Sequence, residues 1–293
     1  MVNPVKSDNI IKFNGQEPFE KPDLIVVEEP LEIRIGYGAA DNRQQKSISV
    51  TMRTPTGHDF ELAMGFLFTE NIINHFDQIL SIHYCTDNQQ NLQENIVRIE
   101  LQPHIQIDFQ KLERYSYTTS SCGICGKASI EAIQSECATP ITSSLKVSAD
   151  FIYQLANIVE EKQVFFKHTG GSHVAALIKL ENQEKGELLL LREDIGRHNA
   201  LDKVIGTALQ RNLLPLSDTL LFMSSRASFE LIQKAVMAGI SIMVCVGAPS
   251  SLAIETAQTF GMTLIGFSRK NSFNMYSGNP EVITGTYETR TDK

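Results

Sequence analysis

Residues 219–246 read TLLFMSSRASFELIQKAVMAGISIMVCV, and this stretch decides the fold class. Two continuous apolar runs, at 219–223 and 240–246, flank a segment at 229–238 that reads as a helix. Short, continuous apolar runs are typical of parallel strands that are buried on both faces. The stretch therefore predicts a strand, a helix and a second strand of a layered α/β domain.

The same alternation continues on both sides of this stretch. Further strands are predicted at 188–191 and 263–267, and further helices at 149–160, 198–210 and 252–260. Strand and helix patterns that alternate over such a length indicate an α/β domain, which we place at residues 141–276.

The first half of the chain carries a different pattern. Apolar residues alternate at 47–52, which is typical of a half-buried strand, and residues 59–72 show helical spacing. These features predict a mixed-sheet domain at residues 23–140, so that the fold is α/β in the second half and α+β overall. We expect residues 1–22 to form a flexible arm and residues 277–293 a flexible tail.

The composition excludes several classes of protein. The chain has 293 residues, of which 42% are hydrophobic and 20% charged, and its formal net charge is -8. This apolar fraction is too high for a disordered chain, and no apolar run reaches the ~18 residues that a membrane span needs. The start of the chain lacks the layout of a secretory signal. Because the acidic balance also disfavours a broad nucleic-acid surface, we expect a cytoplasmic protein with no membrane and no nucleic-acid partner.

Two cysteines stand three residues apart in the segment SSCGICGK at 120–127. Serine and glycine flank Cys122 and Cys125, and a helix predicted from about residue 127 would place its N-terminus near Cys125. A helix N-terminus and the charge of Lys127 both favour the thiolate, which is the nucleophilic form of cysteine. The pair is therefore a candidate for sulfur or redox chemistry.

Other interpretations of this pair remain open. A structural zinc site needs four ligands and commonly shows two such pairs, whereas only Cys137 lies nearby in the sequence. A thioredoxin-like pair belongs at a strand-to-helix turn, which the hydroxyl-rich residues 115–121 disfavour. Two inert, buried cysteines are disfavoured by the serine and glycine neighbours. By contrast, Cys85 and Cys245 stand in apolar, strand-like contexts and are predicted to lie in the core.

Basic and hydroxyl-bearing residues follow four predicted strands. They are Arg192, Arg197 and His198, then Ser224, Ser225 and Arg226, then Ser250 and Ser251, and finally Phe267, Ser268, Arg269, Lys270, Asn271 and Ser272. In open α/β sheets, ligands bind at the carboxyl ends of strands and near helix N-termini. The first group alone also fits an ordinary solvated helix start with Asp194 as its cap. The repeated placement predicts an anion-binding pocket.

Two histidines stand at predicted element starts. His173 follows Gly170, Gly171 and Ser172 at the start of an apolar run, where a histidine is more commonly structural. The GHD sequence at 57–59 predicts a helix start that Asp59 caps.

Several of these segments together resemble the formate dehydrogenase accessory sulfurtransferase family, FdhD. The matching segments are RTP at 53–55, GHDFELAMGFL at 57–67, CGICG at 122–126, GGSH at 170–173, the block at 192–203, SSR at 224–226 and FSR at 267–269. They occur in order over nearly the whole chain, which makes the resemblance specific.

The resemblance implies a sulfur carrier. Members of the family take sulfur as a cysteine persulfide from a cysteine desulfurase and pass it to molybdenum bis(molybdopterin guanine dinucleotide), the cofactor of formate dehydrogenase. By position, Cys122 would carry the persulfide and Cys125 would assist. The cofactor contacts of the family fall on residues 267–272. The cations of the other strand ends and His173 would complete the pocket, in which guanine nucleotides would also fit.

The resemblance further implies a cytidine-deaminase-like C-terminal domain and a homodimer. The zinc signature of deaminases is missing, because Val174 and Ala175 follow His173 where a glutamate would be needed, and no Pro-Cys-x-x-Cys occurs. We therefore expect no structural or catalytic metal. The alternatives are a non-catalytic chaperone that delivers the molybdenum cofactor to formate dehydrogenase and, less in keeping with the motifs, a deaminase-like zinc hydrolase.

Overall fold

The computed structural model describes residues 3–15, 17–87, 89–108, 141 and 144–285. Its strands, in chain order, are β1 (Val5–Lys12), β2 (Phe19–Val26), β3 (Glu29–Tyr37), β4 (Gln44–Arg53), β5 (Ile79–Thr86), β6 (Leu92–Leu101), β7 (Val147–Ser148), β8 (His173–Leu180), β9 (Gly186–Asp194), β10 (Thr219–Met223), β11 (Ile242–Cys245), β12 (Thr263–Arg269), β13 (Ser272–Ser277) and β14 (Ile283–Thr284). Its helices are α1 (Asp59–Thr69), α2 (Ala149–Lys162), α3 (Phe165–Thr169), α4 (Arg197–Gln210), α5 (Phe229–Met237) and α6 (Ser251–Thr259).

The chain divides into two compact units, and each draws on separate stretches of sequence. The first unit comprises Met1–Glu136, Gln163–Ala175 and Arg192–Leu214, and the second comprises Cys137–Lys162, Ala176–Leu191 and Pro215–Lys293. The expected domains, 23–140 and 141–276, were each one continuous stretch. They differ from the observed units because two later segments fold with the first unit through contacts between residues far apart in the sequence.

The first unit contains a four-stranded mixed sheet in the order β4-β3-β6-β5. The central strands β3 and β6 are parallel, whereas β4 and β5 run antiparallel to their neighbours. Alternate side chains of the central strands are buried, as the period of a strand requires. These are Leu31, Ile33 and Ile35 on β3, and Val97, Ile99 and Leu101 on β6. The predicted mixed sheet is therefore confirmed.

Helices α1 and α4 cross closely within the first unit, because a glycine stands at the crossing on each helix. A Cβ atom on Gly65 would lie 1.9 Å from the carbonyl oxygen of Asp202, and one on Gly206 would lie 1.9 Å from that of Glu61. Any larger residue at either position would overlap the backbone of the other helix. This crossing holds α4, which comes from the second half of the sequence, against the first unit.

The first 22 residues are not a flexible arm. Strands β1 and β2 form an antiparallel hairpin whose register runs from Val5 opposite Val26 to Lys12 opposite Phe19. The sequence hides this hairpin because most of its positions are exposed on both faces, so that the period-2 alternation of apolar and polar residues is weak.

The second unit is built on a six-stranded sheet in the order β13-β12-β11-β10-β8-β9. Strands β10, β11 and β12 are parallel, and β13 is antiparallel to β12. Every residue of β10 and β11 is buried, as their continuous apolar runs predicted. Residues 173–175 of β8 and 192–194 of β9 belong to the first unit. The α/β class of the second half and the α+β class overall are confirmed.

The expected flexible tail, 277–293, is ordered in its first part. Strand β14 pairs in parallel with β7, and the Ser277 hydroxyl donates a hydrogen bond to the carbonyl oxygen of Met262 at 2.7 Å. A two-residue strand gives no periodic signal, which is why the sequence did not reveal it. Residues 286–293 lie outside the described part of the chain. Among the described residues, no helix is long and apolar enough to span a membrane.

Candidate anion-binding site

Two of the five cysteines, Cys85 and Cys245, lie among the described residues. Cys122, Cys125 and Cys137 lie outside the described residues, as does the helix predicted from about residue 127. Cys245 is fully buried in β11, and burial raises the pKa of its thiol to about 12, so its assignment to the core is confirmed. Cys85 is only half-buried, which corrects its expected place in the core.

A buried ion pair lies at the centre of the block that carries Arg192, Arg197 and His198. The side chains of Asp194 and Lys203 are both fully buried, and the Lys203 ammonium is 2.5 Å from Asp194 Oδ2. Lys203 Nζ also donates hydrogen bonds to the carbonyl oxygen of Thr54 at 3.3 Å and to Thr56 Oγ1 at 3.1 Å. The ammonium therefore has three acceptors, which offset the cost of removing its charge from water.

The second oxygen of Asp194 fixes the turn that leads into α4. Asp194 Oδ1 accepts hydrogen bonds from the backbone N–H of Gly196 at 2.8 Å and from Asn199 Nδ2 at 3.1 Å. Asn199 Nδ2 also donates to the carbonyl oxygen of Met52 at 2.7 Å. Asp194 does not cap α4, because Gly196 occupies the N-cap position and no side chain caps the helix there. The carboxylate of Asp194 instead links the turn to β4 through Asn199, which donates hydrogen bonds both to Asp194 and to Met52.

Glu193 has a different and equally structural role. It is buried, and its two oxygens accept hydrogen bonds from the backbone N–H groups of Val164, Phe165 and Phe166, at 2.6, 3.0 and 2.8 Å. The Ser172 hydroxyl also donates to Glu193 at 2.8 Å. A carboxylate at the first N–H groups of a helix satisfies donors that the helix itself leaves unpaired. Glu193 thereby fixes α3 and the strand start that carries His173.

Asp59, which the sequence predicted to cap α1, instead binds Arg53. Both side chains are almost fully buried, and Arg53 donates from Nε and Nη2 to the two carboxylate oxygens at 2.9 Å each. The hydroxyl of Tyr84 donates to the same carboxylate at 3.2 Å. Burial and the charge of Asp59 raise the pKa of Tyr84. The residue at the N-cap position is His58, which makes no side-chain capping bond.

His58, Glu61 and Arg192 form a second chain of charged groups in the first unit. His58 Nδ1 and Glu61 Oε1 are 3.1 Å apart, and Arg192 Nη2 is 4.0 Å from the same oxygen. Burial acts to raise the pKa of Glu61, but the hydrogen bond with His58 and the charge of Arg192 outweigh it and lower the pKa. Glu61 is therefore a fixed negative charge that holds Arg192.

His173 lies in the first unit within the electrostatic influence of Arg197 and His198. Burial lowers the pKa of His173, the charges of Arg197 and His198 lower it further, and the charge of Asp194 opposes them. The buried Nε of Arg197 has no hydrogen-bond partner among the residues that the structure describes. A buried donor of this kind suits an anion, because an unmade hydrogen bond at a charged group is costly.

This arrangement makes a prediction for His173. Its imidazole should titrate below the ordinary pKa of 6.5, and replacing Arg197 by methionine should raise the midpoint, since one positive neighbour is lost. Because the folded protein binds this proton less readily than the unfolded chain, His173 costs stability as the pH falls below the ordinary pKa. NMR titration of the histidine ring signals measures the midpoint. The control is Lys185→Met, at an exposed surface pair, and an unchanged midpoint in R197M would contradict the cluster.

The strand ends of the second unit also come together. The backbone N–H of Gly247 donates to the carbonyl oxygen of Ser225 at 3.1 Å, and that of Phe267 donates to the carbonyl oxygen of Gly247 at 3.1 Å. A Cβ atom on Gly247 would lie 2.8 Å from Cγ of Arg226, so only glycine allows this approach. Backbone hydrogen bonds thus join the turns after β10 and β11 to Phe267 near the end of β12. Ser225 is buried, whereas Arg226 is exposed.

The last residues of β12 have an unusual backbone. Phe267 has a φ of 51°, in the left-handed region that large side chains avoid, and the β12–β13 pairing shifts register between Gly266 and Arg269. The bulge leaves the Phe267 side chain 40% exposed and buries Ser268, whose hydroxyl has no hydrogen-bond partner within the described ranges. Arg269 donates to the carbonyl oxygen of Val246 at 2.9 Å.

The other predicted contacts at this end are on the surface. Lys270, Asn271 and Ser272 are exposed in and after the turn between β12 and β13. The structure therefore groups the predicted site residues into two sets, each within its own unit. His173, Arg192, Arg197 and His198 belong to the first, and Ser225, Arg226 and residues 267–272 belong to the second. No set of three His, Cys, Asp or Glu side chains in the described part of the chain is grouped to hold a metal ion.

Comparisons with known proteins show the family of this chain. The model of the FdhD/NarQ family matches residues 26–283 of the chain. The sulfur carrier protein FdhD of Streptomyces avermitilis is 45% identical over 278 residues, which are 93% of this chain and 94% of the relative. The FdhD proteins of Mycolicibacterium paratuberculosis and Saccharolobus solfataricus are 46% and 36% identical, and cover 92% and 95% of this chain and 95% and 98% of their own lengths.

A solved structure has the same fold. It is the crystal structure of a protein from Desulfotalea psychrophila that is described as a formate dehydrogenase accessory protein. The TM-score is 0.69 at 20% sequence identity, and the match covers 96% of this chain and 100% of the other. This similarity supports the fold class.

Proposed function

Because this chain belongs to the FdhD/NarQ family, we propose that it is a sulfur carrier that serves formate dehydrogenase, with Cys122 as the persulfide-bearing residue. The observation that carries the proposal is the family match over residues 26–283, joined by relatives named sulfur carrier proteins over nearly their whole lengths. The CGICG motif at 122–126 falls inside the matched range.

The loading step needs a nucleophilic thiolate and a persulfide donor, which we propose to be a cysteine desulfurase. The Cys122 thiolate attacks the outer sulfur of the donor persulfide, so that one S–S bond forms and one breaks. The proton of the donor persulfide remains on the new persulfide, and the donor leaves as a thiolate. No oxidant or reductant is consumed, because sulfur is passed on at an unchanged oxidation level.

The release step uses the second thiol, which explains why the motif has two. Cys125, as thiolate, attacks the inner sulfur of the Cys122 persulfide, a disulfide forms between the two cysteines, and hydrosulfide leaves with the electron pair of the broken S–S bond. The dithiol is thereby oxidised and the transferred sulfur is reduced to sulfide, the form that a metal binds. A cellular dithiol reductant then restores both thiols.

The acceptor is proposed to be molybdenum bis(molybdopterin guanine dinucleotide), bound as cargo. Its phosphates need hydrogen-bond donors. In the first unit, the buried Nε of Arg197 has no partner among the described residues, and this guanidinium is the cationic donor that we assign to a phosphate. In the second unit, the neutral hydroxyl of Ser268 also lacks a partner among the described residues and is a separate candidate contact. The exposed face of Phe267 offers a guanine ring a surface for stacking. We also propose a cytoplasmic homodimer whose pocket accepts guanine nucleotides.

The proposal is tested by incubating the full-length protein with a cysteine desulfurase and cysteine. Intact-mass spectrometry should then detect one added sulfur atom per chain, which a reducing thiol removes. Omitting the desulfurase is the control and should leave the mass unchanged. If formate dehydrogenase is activated although no sulfur is ever loaded, the protein is a cofactor chaperone and the sulfur-carrier proposal fails.

A further inference from the structure

Thr54 is bound to the 192–203 block through every polar group that it has. It is fully buried in the segment between β4 and α1. Its backbone N–H donates to Asp194 Oδ2 at 3.1 Å, its carbonyl oxygen accepts from Lys203 Nζ at 3.3 Å, and its hydroxyl accepts from the N–H of Ile195 at 3.1 Å. One residue thus makes three hydrogen bonds to three different partners in the block.

The three partners flank the start of α4, where Arg197 and His198 lie. Asp194 ends β9, Ile195 begins the turn that leads into α4, and Lys203 lies in the second turn of that helix. Because β4 ends at Arg53, the backbone groups of Thr54 are free to bond outside their own sheet. Thr54 therefore fixes the entry of the turn and the helix that follows it at the same time.

The hydroxyl of Thr54 can be removed without changing the size of the side chain. Valine has the shape of threonine but cannot accept a hydrogen bond, so the part-buried N–H of Ile195 would lose its partner. An unpaired backbone N–H that is partly removed from water is unfavourable, and the turn would move to satisfy it. Ile195 is two residues from Arg197, so a movement of the backbone at Ile195 would also displace the guanidinium group of Arg197.

We propose that Thr54 is a positioning residue for the anion-binding turn, by which we mean residues 195–198 between β9 and the start of α4. Its hydroxyl holds the Arg197 and His198 side chains in the geometry that binds phosphate. This inference rests on the proposed function, in which the turn binds the phosphates of the cofactor. Thr54 itself touches no substrate in this scheme.

The experiment compares three variants for binding of inorganic pyrophosphate by calorimetry at fixed ionic strength. T54V should bind about tenfold more weakly than the unsubstituted protein, whereas T54S, which keeps the hydroxyl, should bind within about twofold of it. The matched control is T207V, because the Thr207 hydroxyl is also buried but donates to the carbonyl oxygen of Lys203 inside α4, at 2.7 Å. T207V should lose similar stability and keep its affinity.

A second readout follows the turn directly. The pKa of His173 depends on the charge of Arg197, so the NMR midpoint of His173 should move towards its ordinary value in T54V but not in T207V. If T54V does not fold, Thr54→Ala, in which water has room to replace the hydroxyl, should shift both readouts in the same direction by less.

The outcomes separate the two proposals. If the unsubstituted protein does not bind pyrophosphate, the anion-binding role of the turn in the proposed function is wrong, whatever Thr54 does. If it binds, but T54V and T207V bind equally well and leave the His173 midpoint unchanged, Thr54 has no positioning role and this inference is overturned.

Discussion

Replacing Cys122 by serine is expected to abolish sulfur loading and to lower the activation of formate dehydrogenase by a factor on the order of 10³ or more, as when an enzyme loses its nucleophile. A serine hydroxyl is not ionised at neutral pH and does not form a persulfide, so the first S–S exchange has no acceptor. Intact-mass spectrometry after incubation with a desulfurase measures the loading. The activity of a formate dehydrogenase matured with each variant measures the transfer.

The neighbouring cysteine gives a matched control with a different outcome. C125S should still gain one sulfur on Cys122 but should release little of it, because the thiol that attacks the inner sulfur is missing. Cys85→Ser, in strand β5, should behave as the unsubstituted protein in both measurements. Full, reductant-sensitive loading of C122S would assign the persulfide to another cysteine and would falsify the proposed site.

The fold could be predicted wherever the chain carries a strong local period. Helix α4 and the buried strand β10 were predicted within a residue of their observed bounds, since helical spacing and continuous apolar runs are local signals. The hairpin of β1 and β2 was missed because its exposed faces carry no such alternation. The division into units was missed for a different reason, since the crossing at Gly65 and Gly206 joins helices that are far apart in the sequence.

In the candidate site, too, the contacts between residues far apart in the sequence could not be predicted. The sequence placed Arg197 and His198 at a strand end, and in the structure their charges act on His173. The sequence could not show that Thr54 and Lys203 hold the turn between β9 and α4. Thr54 binds Asp194 from 140 positions away in the sequence, and Lys203 binds Asp194 from 9 positions away, across the start of α4. A lysine among the apolar residues of α4 was the one available signal, because a lysine in such a position is seldom fully buried without a partner.

Replacing Lys203 by methionine should destabilise the protein by about 3–5 kcal/mol, which is the usual cost of removing one partner of a buried ion pair. Methionine fills much of the same volume, so the loss comes from the Asp194 carboxylate, which stays buried without its counter-charge. The hydroxyl of Thr56 also loses the Lys203 donor, whereas the carbonyl oxygen of Thr54 keeps its hydrogen bond from the backbone N–H of Thr56 at 2.8 Å. Urea denaturation followed by circular dichroism measures the free energy of unfolding.

The exposed pair of Lys179 and Asp218 is the matched control. Its Nζ and Oδ2 atoms are 3.6 Å apart and its side chains are 58% and 62% exposed, so K179M should cost less than about 1 kcal/mol. The double variant D194N/K203M, which buries no charge, should recover part of the stability that K203M loses. The amide oxygen of asparagine still accepts from Gly196, but its NH2 group replaces the oxygen that accepted from the Thr54 N–H, so the recovery is incomplete. A loss in K203M no larger than that in K179M would mean that the Asp194–Lys203 pair is reached by water and does not hold the turn.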